Sequence, residues 1–213
     1  MIYKNWEPIY KKILKEFKYN EKEDIKSAKI ALEISKNMKY ISTKDLKKFI
    51  EGKIVSICGA AIKEKDIKNI EGTIISADET TSFLLKNGII PDIITTDIDG
   101  YIEDLIKANK KGSIVIIHAH GDNIDKIKEW LPKFKGRIMI TTQSKPFGKA
   151  YNFGGFTDGD RAYCIAKHFN AKKIKLIGFD FENVVEKKGK SREIKERKLK
   201  WAKKIIENAN LLY

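Results

Sequence analysis

From Lys53 onward the chain alternates short β-branched runs with amphipathic stretches. The runs are Ile54–Cys58, Thr73–Ala77, Asp92–Thr95, Ser113–His118, Arg137–Thr141 and Ile174–Ile177. They lack strict apolar–polar alternation, which marks strands covered on both faces. Helical spacing occupies Thr80–Asn87, Tyr101–Lys110, Asn123–Trp130, Asp158–Phe169 and Ile194–Asn208. This strand–helix alternation predicts an α/β fold, an open and mostly parallel Rossmann-like sheet with helices on both faces. Residues 1–50 differ. Trp6, Ile9, Tyr10, Ile13, Leu14 and Phe17 recur at helical spacing, and a second helical run holds Ile25, Ala28, Ile30, Ala31, Leu32 and Ile34. Ser42-Thr43-Lys44-Asp45 reads as an N-cap before a short helix with Leu46, Phe49 and Ile50. The expected organisation is a helical N-terminal appendage (1–50) on an α/β domain (51–213). Glu186 to Arg192 is polar and charged and reads as a mobile loop before the last helix.

A chain of 213 residues with 42% hydrophobic and 34% charged residues can bury a sizeable core. Abundant Lys, Ile and Glu with almost no Gln fits a thermophile, where charged networks cost less and labile amides are disfavoured. A net charge of +14 suits a nucleic-acid or phosphate-rich partner, or else a lysine-biased proteome. The lysines are spread along the chain without interleaved aromatics, which favours the lysine-biased proteome, and an anionic small substrate such as ATP would also be drawn by this field. Cys58 and Cys164 lack metal-ligand spacing and read as small buried hydrophobes in a reducing compartment. No run reaches the roughly 18 apolar residues of a membrane span, and no apolar leader opens the chain. A cytoplasmic protein is expected.

The stretch Pro91-Asp92-Ile93-Ile94-Thr95-Thr96-Asp97-Ile98-Asp99-Gly100 ends an apolar run in two carboxylates one residue apart. Ligands gather at the carboxyl ends of parallel strands. Along a strand, Asp97 and Asp99 share a face, where they repel unless a cation sits between them. Oxygen-only ligands suit Mg²⁺ together with substrate phosphates. A solvated acidic turn is the bland alternative. Other strand ends carry polar groups too. Gly59-Ala60-Ala61 lets backbone amides approach a phosphate, although it is not a P-loop. Asp78 suits a helix cap, a ribose hydroxyl or a metal, and Thr80 adds a hydroxyl. His118-Ala119-His120-Gly121-Asp122-Asn123 is compatible with Zn²⁺ or Mn²⁺, with polar contacts from His120 and Asn123 to substrate, or with a structural His118. Lys145 follows the fifth run and could reach phosphates. In Phe153-Gly154-Gly155-Phe156-Thr157-Asp158-Gly159-Asp160-Arg161, two carboxylates exceed what a cap needs. Asp158 and Asp160 could form a second acidic wall, with Arg161 on a phosphate. Phe153 and Phe156 suit either core packing or stacking on a flat ring.

Ala77-Asp78, Leu84-Leu85, Gly88-Ile89-Ile90-Pro91-Asp92 and Thr96-Asp97-Ile98-Asp99-Gly100 resemble the central segment of thiamin pyrophosphokinases, and Thr157-Asp158 is similar to a later T-D at a helix start. Glu79, Thr96 and Gly100 depart from that family's pattern, and the chain ends in a Lys-rich helix where that family has a β-domain. Together the helical N-terminus, D-E-x-T, T-D-x-D-G, H-A-H-G-D-N and G-G-F-T-D-G-D-R-A look closer to the archaeal 6-hydroxymethyl-7,8-dihydropterin pyrophosphokinases, over roughly residues 50–180. That resemblance implies a fold like the thiamin pyrophosphokinase catalytic domain, and ATP- and Mg²⁺-dependent pyrophosphoryl transfer to a pterin alcohol. Asp97, Asp99, Asp158 and Arg161 are then the expected catalytic residues, with Asp97 and Asp99 as the Mg²⁺ ligands. Gly59, Asp78, Thr80, His118, His120, Asn123, Lys145 and Asp160 are expected around ATP or pterin. Another alcohol acceptor, a D-x-D glycosyltransferase, a His-x-His metallohydrolase and a nucleic-acid-binding module remain as rivals. The sequence leaves the oligomeric state open, a homodimer included.

Overall fold

In the computed structural model, which describes residues 3–183 and 191–213, seven parallel strands form one sheet in the order β6-β5-β4-β3-β2-β1-β7. The strands are β1 (Ile54–Cys58), β2 (Thr73–Ala77), β3 (Ile93–Thr96), β4 (Ile114–Ala119), β5 (Ile138–Thr142), β6 (Ala150–Tyr151) and β7 (Lys173–Ile177). The expected open parallel sheet is present. Strand β6 escapes sequence reading because two residues show no period. From β1 the chain winds outward strand by strand to β6, then crosses back to place β7 against the other edge of β1. The direction of winding changes at β1, the kind of position where open α/β sheets bind ligands.

Both faces of the sheet are covered. On one, Val115 and Ile117 of β4 pack with α2 (Glu21–Ile34), α5 (Ile102–Lys110) and α6 (Ile124–Trp130) through Ala28, Ala31, Leu105, Ala108 and Ile127. On the other, Ile114 and Ile116 pack with α3 (Thr43–Ile50) and α7 (Asp158–His168) through Leu46, Ile50, Ala162 and Ile165. The unbroken apolar run of β4 thus divides by twos between two cores. Ser42 caps α3 as its spacing predicts, accepting from the Asp45 amide at 3.0 Å.

Helix α1 (Tyr3–Phe17) buries Trp6, Tyr10 and Ile13 against Cys164 of α7 and against Ile205 of α8 (Arg192–Glu207). Helix α2 lies on the sheet itself. Helix α4 (Thr80–Lys86) follows β2 and buries Leu84 with Cys58, Ile62 and Ile177. Both cysteines are free and buried, and burial pushes each thiol up to about 12. Among the described residues no helix is long and apolar enough to cross a membrane. Of the expected loop at 186–192, residues 186–190 lie outside the described residues, while Ser191 is the N-cap residue of α8.

Candidate active site

Segments following β1–β5 and β7 meet the start of α7 and one side of α8 around a cavity of about 690 Å³. Three carboxylates, Asp78 after β2, Asp97 after β3 and Asp158 at the first turn of α7, line it. They offer oxygen atoms that all lie within 4.8 Å of one another. Local structure holds them there. The Thr96 hydroxyl donates to Asp78 Oδ1 and accepts from the Ile98 amide at 2.8 Å. Asp78 and Ile98 adopt φ of +40° and +60°. For a β-branched residue such as Ile98 this is an outlier of the sort that persists only where its surroundings impose it. Asp97 and Asp99 therefore stand beyond the end of β3 on a left-handed turn, not on one face of a strand. Both line the cavity, but Asp99 is outside the group of three. The Thr95 hydroxyl donates to the Asp158 carbonyl at 3.0 Å and docks the start of α7 on the sheet.

Crowding has an electrostatic consequence. Burial first, and then the charges of Asp97, Asp78 and Asp99, raise the Asp158 carboxyl well above its ordinary range, against a smaller opposing pull from Arg161. Asp97 Oδ1 is buried with no hydrogen-bond partner among the described residues. A buried lone carboxylate oxygen beside two further carboxylates is a donor set for a hard divalent cation. The residues present thus fit Mg²⁺.

Histidines form an adjoining wall. His118 and His120 stack with ring centroids 5.4 Å apart. Arg161 donates to His118 Nε2 at 3.0 Å, so this nitrogen is engaged and is not free to ligate a metal. Burial, Arg161 and His120 push His118 well below its ordinary pKa, and the ring is neutral. His120 Nδ1 accepts from the Asp122 amide at 3.2 Å, which turns Nε2 toward Asp97 Oδ2, 3.5 Å away.

Several expected ligands serve the scaffold instead. Arg161 is 1% exposed and donates to the Gly154 and Gly155 carbonyls, so it does not line the cavity. Asn123 is buried, and its amide donates to the Asp97 carbonyl at 2.8 Å and the His118 carbonyl at 2.7 Å. Asp160 accepts from the amides of Phe156 and Thr157 at 2.6 and 2.7 Å, closing a capping box on α7. Thr80 is buried outside the cavity lining, and Lys145 is exposed away from it. Gly59 lines the cavity, but its amide donates to the Ile177 carbonyl at 2.8 Å. A Cβ there would stand 2.9 Å from the Phe179 ring, so close approach to the β7 loop requires glycine. Phe153 is core, whereas Phe156 reaches the wall. Sequence reading missed Tyr19, Phe179, Phe181 and the α8 residues Lys195 and Lys198, all lining the cavity. Lysines on α8 carried no distinguishing signal among 43 basic residues.

A family model described as "6-hydroxymethylpterin diphosphokinase MptE-like" matches residues 29–186. The chain belongs to this family. A curated relative from Methanocaldococcus jannaschii, named 6-hydroxymethyl-7,8-dihydropterin pyrophosphokinase, is 41% identical over 225 residues, covering 95% of this chain and 93% of that protein. A relative of the same name from Pyrococcus furiosus is 40% identical over 222 residues, covering 97% and 94%. One from Methanothermobacter thermautotrophicus is 44% identical over 144 residues, covering 63% and 62%. Membership agrees with the resemblance carried by the acidic turn and the glycine-aromatic segment. It separates the chain from D-x-D glycosyltransferases and His-x-His metallohydrolases.

The raised Asp158 makes a testable statement about stability. Its folded-state affinity for protons exceeds that of the unfolded chain. Between the ordinary carboxylate range and the raised value the folded state therefore binds more protons, and stability falls as pH rises. With metal chelated, the wild type is expected to lose more melting temperature than Asp158→Asn between about pH 4 and pH 7. Millimolar Mg²⁺ should narrow that gap at neutral pH. Parallel melting curves for the two proteins without metal would refute the crowding.

Proposed function

We propose that the protein transfers the β,γ-pyrophosphoryl group of ATP to the primary alcohol of 6-hydroxymethyl-7,8-dihydropterin, with Mg²⁺, releasing AMP. The observation that carries this reading is the Asp78–Asp97–Asp158 group at the wall of a nucleotide-sized cavity, in a chain of the diphosphokinase family. The new bond joins the alcohol oxygen to the β-phosphorus, the bond from the β-phosphorus to the α,β-bridging oxygen breaks so that this oxygen leaves on AMP, and the alcohol proton is released to solvent. Such transfers depend on positioning and on neutralising phosphate charge. When bound, Mg²⁺ supplies charge neutralisation at the transferred phosphates. Asp78, Asp97 and Asp158 would hold it. Lys198 lines the cavity with its Nζ 5.6 Å from the Phe156 ring centroid, and is our candidate for the ATP phosphates. Tyr19, Phe156 and the His118–His120 stack offer flat surfaces to a pterin. We place the reaction in the cytoplasm.

Incubation with ATP, Mg²⁺ and the pterin alcohol tests the proposal. AMP and the pterin diphosphate are expected in equal amounts. ADP with a pterin monophosphate would overturn it. Within this reading Lys198→Ala raises the KM for ATP about ten-fold, the usual effect of one lost charge-assisted contact of about 1.5 kcal/mol. An unchanged KM for ATP would remove Lys198 from the phosphate site.

A further inference from the structure

Asp24 lies on α2, remote in sequence from every motif above, and is 2% exposed. Its Oδ2 accepts from the Tyr10 hydroxyl of α1 at 2.6 Å and from Gln143 Nε2 at 2.9 Å. Its Oδ1 accepts from the Gly121 amide at 2.8 Å. Gly121 belongs to the His120–Asn123 turn, and Gln143, the chain's single glutamine, follows β5 and lines the cavity. Neighbouring contacts run the same way. Trp6 Nε1 donates to the Gln143 carbonyl at 2.8 Å, and the Ser27 hydroxyl donates to Asn123 Oδ1 at 3.3 Å. A Cβ on Gly121 would lie 2.9 Å from the Glu23 Cβ, so α2 presses directly on this turn.

We infer that Asp24 is a positioning residue, through which the two N-terminal helices hold the His120 turn and Gln143 in place on the cavity wall. A buried carboxylate is costly to place, and apolar packing commonly serves stability as well. Here its acceptors bind donors from two separate cavity segments. Holding the Gly121 amide fixes the turn that aims His120 Nε2 at Asp97 Oδ2, 3.5 Å away. A misplacement of about 1 Å in such a group can cost about 100-fold in rate.

The test compares Asp24→Ala, Tyr10→Phe and Ile13→Val. Ile13 is a buried α1 residue outside the network, so Ile13→Val lowers stability without touching Asp24. In the first arm, the His120 ring is observed by long-range ¹H–¹⁵N correlation on the metal-free protein. The wild type and Ile13→Val are expected to show the single Nε2–H tautomer, and Asp24→Ala a mixture. Tyr10→Phe, which keeps the ring and removes one donor, shifts the same way and decides the matter should Asp24→Ala fail to fold. The second arm rests on the proposed function: Asp24→Ala raises the KM for the pterin about ten-fold or lowers kcat at least as much, with the KM for ATP changed less than about two-fold. Unchanged His120 signals in the network variants, or kinetic losses that Ile13→Val reproduces, would overturn the inference. A wild type inactive with pterin would defeat the functional reading alone, because the tautomer arm needs no substrate.

Discussion

Asp97→Asn is expected to lower turnover by about two to three orders of magnitude, the scale on which single electrostatic groups act in a transition state. The metal-free melting temperature should stay level or rise. Both effects come from one cause. Asp97 lies within 4.8 Å of Asp78 and Asp158, and one of its oxygens is buried without a hydrogen-bond partner among the described residues. In the free protein its charge is a repulsion. With Mg²⁺ and ATP it becomes an attraction, so neutralising it relieves the first state and weakens the second. Asp99 provides the contrast. It lines the cavity but falls outside the close group, so Asp99→Asn should cost less than about ten-fold. Steady-state rates across a Mg²⁺ titration and melting curves in chelator check both variants. Near-normal turnover of Asp97→Asn at limiting Mg²⁺ would exclude it as a ligand, and equal losses in the two variants would place Asp99 in the metal set.

The two aspartates show where sequence reading stops. D-x-D-G at the end of an apolar run marks a strand-end acidic turn, because β-branched residues and glycine together leave little else. Which oxygens converge depends on positive φ at Asp78 and at Ile98, and a β-branched residue such as Ile98 disfavours that conformation. A local rule placed Asp97 and Asp99 on one strand face, and the left-handed turn defeats it. Strands such as Ile114–Ala119 were legible from their continuous β-branched run, whereas Ala150–Tyr151 pairs for only two residues. Arg161 and Asn123 illustrate a different limit. Their side chains are what a phosphate or a substrate carbonyl would need, and equally what a buried backbone carbonyl needs. The Gly154, Gly155, Asp97 and His118 carbonyls claim them, through proximities fixed only by the tertiary fold. Asp24 carries no distinguishing signal in the sequence, since nothing local reveals that Gly121 and Gln143 arrive beside it.

The pair at the start of α7 should separate stability from chemistry. Asp160 is fully buried and accepts from two backbone amides and the Thr157 hydroxyl. Asp160→Ala strands those donors and removes a cap, a loss of about 3 kcal/mol. For a chain of this size that corresponds to roughly 6–12 °C in melting temperature. Its turnover, measured well below the transition, should stay within a few-fold of wild type. Asp158 behaves in the opposite way. It is not the capping carboxylate of α7, its affinity for protons is raised by the neighbouring carboxylates, and it faces the cavity. Asp158→Asn keeps shape and removes charge, so melting is unchanged or improved while turnover falls about 100-fold. Neither carboxylate can be exchanged for the other, because helical geometry turns position N1 toward the acidic group and N3 back onto the cap. Loss of turnover at unchanged stability in Asp160→Ala, or unaltered turnover in Asp158→Asn, would reverse the assignment and leave the metal site to Asp78 and Asp97.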